Sequence, residues 1–252
     1  MGAMLNLATW NLHRARGADG RVDPARILAL LAGTPGLAGA DVLALQEAEA
    51  EAAPYGTIFP PGALEAETGL WSVHGPGLRF GPDSEGWQGN VLLLSPALAV
   101  AAARVVPLGG RYPRSAVIAD VVSDVVAGGG APVRFRVVAT HLSLGQPLRI
   151  LQMRRIARAL AALPPLPLLL LGDLNEWRPW GGLALGPAVT GCRLHGPARR
   201  TFPAARPLLP LDRILCDRAG ALGEVRALDG AALRAASDHL PLAARLDLSR
   251  LA

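Results

Sequence analysis

Four short segments, far apart in the chain, set carboxylate, amide or imidazole side chains beside an apolar run: Trp10-Asn11-Leu12-His13, Leu45-Gln46-Glu47, Gly172-Asp173-Leu174-Asn175 and Ser237-Asp238-His239. Carboxylates and amides offer the hard oxygen donors that a small divalent cation prefers. An imidazole oriented by an acid can hold or pass a proton near neutral pH. These are the parts needed for cation-assisted attack of water on an anionic ester, which requires a cation on the phosphoryl oxygens, an aligned water and support for the departing oxygen. One such segment means little, since an Asp-His pair is more often a surface feature. Four with one layout point to a shared cleft, because sheet rims gather side chains from distant stretches.

The elements that must position these groups follow from the apolar pattern. Leu5 to Trp10 reads as a strand ending at Asn11 and His13, followed by a turn around Gly17 and Gly20. Asp23-Pro24, the series Ile27, Leu28, Leu30, Leu31 and then Gly33 predict a capped amphipathic helix. Asp41 to Leu45 is the next strand, and Ala48 to Gly86 is irregular and rich in Gly and Pro. Strands are predicted at Asn90 to Leu94, Ala116 to Val122 and Val133 to Thr140. Gln146-Pro147 opens a helix to about Leu163, with Leu148, Leu151, Ile156 and Leu160 toward the core, and Leu168 to Leu171 is a buried strand. Arg213 to Cys216, Glu224 to Leu228 and Leu240 to Leu246 are the remaining strands. Many strands with few helices between them predict an α+β fold, a four-layer α/β/β/α sandwich of two packed, mostly antiparallel sheets. No linker or repeat interrupts the pattern, so residues 1–252 are expected to form one catalytic domain.

Half of the 252 residues are hydrophobic and 18% are charged, which excludes a long disordered region. All 25 basic residues are Arg, pointing to a GC-rich, bacterial genome; the net charge of +5 is compatible with anionic substrates but does not itself indicate nucleic acid. Cys192 and Cys216 lack the spacing of a zinc or redox motif, and a disulfide between them is open. Met1-Gly2-Ala3-Met4 runs directly into the first strand without a secretory pattern, so a cytoplasmic protein is expected. The most apolar stretch, Ile156 to Leu171, is broken by Arg158 and three prolines and makes no membrane span.

Taken in order, the segments resemble the endonuclease/exonuclease/phosphatase superfamily, which includes deoxyribonuclease I-like nucleases, abasic-site endonucleases, sphingomyelinases and inositol-polyphosphate phosphatases. The resemblance runs from Trp10 to His239. Thr9-Trp10-Asn11-Leu12-His13, Asp19-Gly20-Arg21, Leu45-Gln46-Glu47, Gly89-Asn90 and Thr140-His141-Leu142 with Arg149 and Gln152 look most like its small bacterial hydrolases. The resemblance implies hydrolysis of a phosphoester by in-line attack of water, with Mg²⁺ or Mn²⁺ as cofactor. Glu47 would be the principal metal ligand, Asn11 would ligate or orient it, and Asp238 would complete an outer or second position. His239 resembles the catalytic histidine, and Asp212 in Leu211-Asp212-Arg213 its orienting acid. Asp173 would orient or deprotonate the water, Asn175 would donate to the transition state, and His141 would contact a phosphate oxygen. Arg114 is a candidate for bidentate phosphate binding and Asn90 for holding a neighbouring ligand.

Abasic-site enzymes carry an Asp where this chain has His13, and their active-site Tyr has no match here. Trp177 and Trp180, on either side of Arg178, either line the cleft or pack inside. Arg193, His195, Arg199, Arg200 and Arg206 include no acid among them and would form a basic rim if that segment flanks the cleft. The substrate choices are a phosphodiester such as nucleic acid, a lipid head group or a small phosphomonoester. A binding protein without activity is the rival reading, and the intact set of site residues argues against it. The sequence leaves the oligomeric state open, and a monomer is compatible with it.

Overall fold

The computed structural model describes residues 3–50, 55–123 and 132–251. Strand β1 (Met4–Asn11) leads to helix α1 (Pro24–Gly33) and β2 (Val42–Gln46). Asp23 caps α1 by accepting from the Arg26 amide at 3.0 Å, and Pro24 takes a position where no amide hydrogen is required. Short pieces α2 (Ala63–Thr68) and β3 (Trp71–Ser72) punctuate the irregular stretch before β4 (Val91–Leu94); residues 51–54 of that stretch lie outside the described ones. Then come β5 (Leu98–Gly109), β6 (Arg114–Ser123), β7 (Val133–His141), α3 (Gln146–Ala161) and β8 (Leu168–Asp173). They are followed by α4 (Pro187–Thr190), β9 (Asp212–Cys216), β10 (Arg226–Ala227), α5 (Ala231–Ala236) and β11 (Leu242–Asp247).

The strands build a six-stranded sheet, β10-β11-β1-β2-β4-β3, and a five-stranded sheet, β5-β6-β7-β8-β9. Every neighbouring pair is antiparallel except β1–β2 and β7–β8. A parallel pair needs a crossover, and α1 and α3 provide the two. Parallel partners also end on the same edge. Asn11 is therefore level with Gln46, and His141 with Asp173.

Between the sheets, Leu7, Val42 and Leu92 face Val117, Phe135 and Leu171. Outside the first sheet, Ile27 and Leu31 of α1 cover Trp10, Leu43 and Leu45. Outside the second, Met153 and Ile156 of α3 cover Ile118, Val138 and Leu170. This is the expected four-layer α+β arrangement. Among the described residues, no helix is long and apolar enough to cross a membrane.

Several local expectations are corrected. Leu151 is exposed, because the inner face of α3 is set by Arg149, Gln152, Met153 and Ile156. Gln152 fixes that face by accepting from the Ser143 amide at 2.9 Å and donating to the Gly109 carbonyl at 3.1 Å. Strand β5 was not legible: its alanine-rich run lacks two-residue alternation, and its long pairing with β6 shifts register twice. Helix α5 also went unread, and β10 is shorter than Glu224 to Leu228. Cys192 and Cys216 are free thiols.

Buried His74 ties the stretch around β3 to β4, with Nε2 accepting from the Leu92 amide at 3.1 Å and Nδ1 donating to the Leu78 carbonyl at 2.9 Å. Burial pushes its pKa down to about 4, against the Leu78 contact that opposes the shift. Between about 4 and the ordinary 6.5, the unfolded chain therefore binds a proton that the folded protein excludes. The His74 contribution is complete above 6.5 and lost as pH falls toward 4; at about 1.4 kcal/mol per tenfold change in proton affinity, this is on the order of 3 kcal/mol. Urea unfolding of wild type and His74→Gln across this range should show a shallower pH dependence in the variant. Parallel profiles would contradict it.

Candidate active site

The two parallel pairs bring their C-terminal ends to one edge of the sandwich. From the first sheet come Asn11 and, one residue beyond β2, Glu47. From the second come His141 and Asp173, level with each other, and Asp212 directly across from Asp173 on β9. His239 enters from the segment before β11. Its carbonyl accepts from the buried Trp10 indole at 2.9 Å, and the Ser237 hydroxyl donates to the Asn11 carbonyl at 2.7 Å while accepting from the His239 amide at 3.2 Å. Gly172 is required for this packing: at φ +137° it lies so close to β7 that a Cβ would sit 1.9 Å from the Thr140 carbonyl oxygen.

Among the described residues, seven non-glycine residues have positive φ: His13, Arg14, Ala15, Glu47, Tyr55, Gln88 and Asn175. All except Ala15 line the cleft at this edge or the cavity beside it. Left-handed backbone is unfavourable for such residues and persists where surrounding structure imposes it, commonly at sites of function. Here it turns Glu47 and Asn175 into the cleft and brings Arg14 Nη1 to 3.9 Å from Glu47.

A chain of polar side chains in close contact runs through the floor. Thr201 Oγ1 donates to Asp212 Oδ2 at 2.5 Å, and the same oxygen accepts from His239 Nδ1 at 2.9 Å. His239 Nε2 then lies 3.8 Å from Asp173 Oδ2, which accepts from Asn11 Nδ2 at 3.0 Å and stands 3.3 Å from His141 Nε2. Arg114 Nη1 reaches His141 Nδ1 at 3.0 Å, and Asn175 Nδ2 stands 3.3 Å from His141 Nε2. Asn175 donates to the Leu142 carbonyl at 2.8 Å, and its amide to Asp173 Oδ1 at 2.9 Å.

Charge follows from this packing. Burial by itself would raise the pKa of Asp173, but His141 and His239 outweigh it and hold the carboxyl far below the usual range. Burial opposes the charge on His239, yet Asp212 and Asp173 push it up to about 10. Asp212 is raised by burial, with His239 opposing. Burial of Glu47 is outweighed by His141, Arg14 and Arg114, which keep it ionised.

The structure brings Asn11, Glu47, Arg114, His141, Asp173, Asn175, Asp238 and His239 into the walls of one cleft of about 440 Å³, with Asp212 buried behind His239. Asn90 is outside the cleft walls. Its side chain donates to the Ser115 and Ala139 carbonyls, joining the sheets underneath. The Arg193–Arg206 arginines are absent from the walls as well; that segment reaches the site through Thr201 and Phe202. The cations that do face the opening are Arg14 and Arg111 in addition to Arg114, and Trp177 lines it while Trp180 is exposed.

Sequence reading missed Arg14, Thr201 and Glu176. Arg14 and Thr201 gave no signal, because a backbone twist and a folded-back loop deliver them. Glu176 adjoins Asn175 and is fully buried, with Arg149 Nη2 at 3.4 Å and Arg178 Nη1 at 2.9 Å, while Arg213 Nη2 donates to the Glu176 carbonyl at 3.1 Å. This cluster anchors the loop carrying Asn175. Glu176→Ala, which leaves buried guanidinium charge uncompensated, should cost about 3–5 kcal/mol by denaturant unfolding. A loss under about 1 kcal/mol would show that the charges are solvated.

Two groups of side chains bear on metal binding. Asp173, Asp212 and His239 have donor atoms within 4.8 Å of one another. Asp212 Oδ2 is already engaged by Thr201 and His239, which fits an orienting acid better than a ligand. Glu47, Asn11 and Asp238 offer oxygen donors on the cleft wall, and Glu47 is ionised there, so this set fits a hard divalent cation.

A two-sheet sandwich with an acid-histidine chain and cation-lined cleft at one edge defines a phosphoester hydrolase. The chain belongs to the Endonuclease/Exonuclease/phosphatase family, whose sequence pattern matches residues 8–239 and whose members are generally dependent on divalent metal. It is 32% identical over 184 residues to YbhP, an uncharacterised protein of Escherichia coli K12, covering 71% of this chain and 70% of that one. Its fold is similar to that of a family protein from Bacteroides thetaiotaomicron, with a TM-score of 0.70, 16% identity and 98% of each chain covered. It is also similar to a mannosyl-6-phosphatase of Bacteroides thetaiotaomicron VPI-5482, with a TM-score of 0.66, 16% identity, and 95% of this chain and 98% of that one covered.

Proposed function

We propose that this chain, acting as one catalytic domain, hydrolyses phosphodiesters by in-line attack of water with Mg²⁺ or Mn²⁺ as cofactor. The observation that carries the reading is the Asp212–His239–Asp173 chain in the same cleft as ionised Glu47. Glu47, Asn11 and Asp238 would hold the cation, which when bound neutralises charge on the phosphoryl oxygens. Arg114 and His141 bind the phosphate, and Asn175 donates to its oxygens as charge builds up. Asp173 is a weak base at rest. It aligns the water and accepts its proton only as the new oxygen–phosphorus bond forms and the water becomes acidic. His239 keeps its proton up to about 10 and so serves as a donor to the phosphoryl or departing oxygen.

The groups attached to the phosphate are chosen by the rim. A phosphomonoester reading is favoured by the mannosyl-6-phosphatase name of one fold neighbour, although at that identity the likeness extends only to the fold. The test is a panel of DNA, RNA, phospholipids, nucleotides and sugar phosphates assayed with Mg²⁺ and Mn²⁺. Turnover of phosphomonoesters alone would replace the diesterase reading, and no turnover of any member would reject the hydrolase.

A further inference from the structure

Eleven large apolar side chains are exposed among the described residues, and six of them line the cleft or the adjoining cavity of about 540 Å³. Tyr55, Phe80 and Tyr112 stand on the side of Glu47 and Arg114. Trp177 and Leu209 stand on the side of Asn175 and His239, and Leu144 borders both cavities. Two more exposed apolar residues are close in the chain to the cleft residues Trp177 and Leu209. Trp180 lies in the turn closed by the Gly181 amide on the Arg178 carbonyl at 2.9 Å, and Leu208 is held by its amide to the carbonyl of Phe202, itself a cleft residue. Exposure reaches 78% at Leu144, 76% at Trp180 and 67% at Tyr112. Scattered exposed hydrophobics are ordinary on a soluble protein, whereas a group around one opening marks a contact surface.

Cations are interleaved with this rim. Arg14, Arg111 and Arg114 share the walls with the aromatics, and the Arg178 guanidinium lies 4.4 Å from the Trp177 ring centroid. The acids of the adjoining cavity, Glu47 and Glu49, are part-buried, whereas Arg111 and Tyr112 are exposed. A surface that meets the mouth thus encounters arginine among Trp, Tyr and Leu. A single-stranded nucleic acid would use the aromatics and arginines by stacking and charge. It would leave Leu144, Leu208 and Leu209 without a partner. The outer part of a bilayer engages all of them: hydrocarbon for leucine, the interfacial zone for indole and phenol, and headgroup phosphates for guanidinium.

We propose that the mouth of the cleft docks on an anionic phospholipid bilayer, presenting a lipid-borne phosphoester to the site; the second clause rests on the hydrolase reading above. The full chain is floated with vesicles of phosphatidylcholine mixed with phosphatidylglycerol and with vesicles of phosphatidylcholine alone. Wild type should float with the mixed vesicles, and less as salt is raised. Trp180→Ser combined with Leu208→Ser, neither residue lining the cleft, should weaken flotation at least about tenfold, given the apolar area withdrawn. Its thermal melt and its hydrolysis of a soluble chromogenic phosphodiester should match wild type. Wild type that floats with neither vesicle, or a double variant that floats as well as wild type, overturns the proposal. So does a variant that keeps vesicle binding but loses binding of a single-stranded oligonucleotide, which would assign the rim to nucleic acid. Flotation requires no turnover, so a failed phosphoester panel leaves the docking result standing, and absent flotation leaves the hydrolase standing.

Discussion

His239→Ala should lower the turnover rate by about 10³-fold, in the middle of the range for removing a positioned proton donor or acceptor. Asp212→Ala should cost less, about 10²-fold, and the double variant should be scarcely worse than His239→Ala alone. The geometry requires this coupling. Asp212 is buried behind the imidazole, and its Oδ2 accepts from His239 Nδ1 at 2.9 Å. Once the ring is gone, the acid has nothing to orient, and effects of residues acting as a unit do not multiply. Single-turnover rates on all four proteins decide the matter. A double variant near 10⁵-fold down would mean that Asp212 acts on the reaction by a separate route.

Chelation of divalent cations should abolish turnover, addition of Mg²⁺ or Mn²⁺ should restore it, and Glu47→Ala should bind either ion at least about a hundredfold more weakly. Partners that merely orient a ligand already contribute about 10- to 100-fold to affinity, so loss of a direct carboxylate ligand should cost no less. Titration calorimetry on both proteins measures this. Equal affinity would remove Glu47 from contact with the ion and turn attention to Asp173, Asp212 and His239, whose donor atoms are close enough to hold one. The two arrangements are thus separable, because Asp212→Ala should leave ion affinity nearly unchanged only if the ion belongs to Glu47.

Most of the site was legible because its residues sit at places where pattern breaks. An apolar run that stops at Asn11, Gln46-Glu47 or Gly172-Asp173 announces a strand end, and the order of the segments matched one family. The layers were legible for the same reason, since α1 carries its cap and its apolar face in its own sequence. Strand β5 was not, because an alanine-rich edge strand owes its conformation to hydrogen bonding with β6. Leu151 was misplaced because composition alone cannot say that Gln152, a polar residue, is the inward anchor of α3.

By itself the sequence determined the layered α+β class, the family and eight of the cleft residues, because strand ends and apolar periodicity are local properties. It could not decide that Asn90 braces the sheets from below, that the Arg193–Arg206 arginines lie outside the cleft walls, or that Arg14 and Thr201 belong to the site. It also left open whether Trp177 and Trp180 are buried; the fold exposes both, and Trp177 lines the cleft. These outcomes depend on which ends become neighbours, and that was fixed by the two parallel pairs, β1–β2 and β7–β8, which carry their C-termini to one edge. Proximity across some 230 residues of chain, such as Trp10 against His239, is created by sheet pairing and core packing, and no local pattern encodes it.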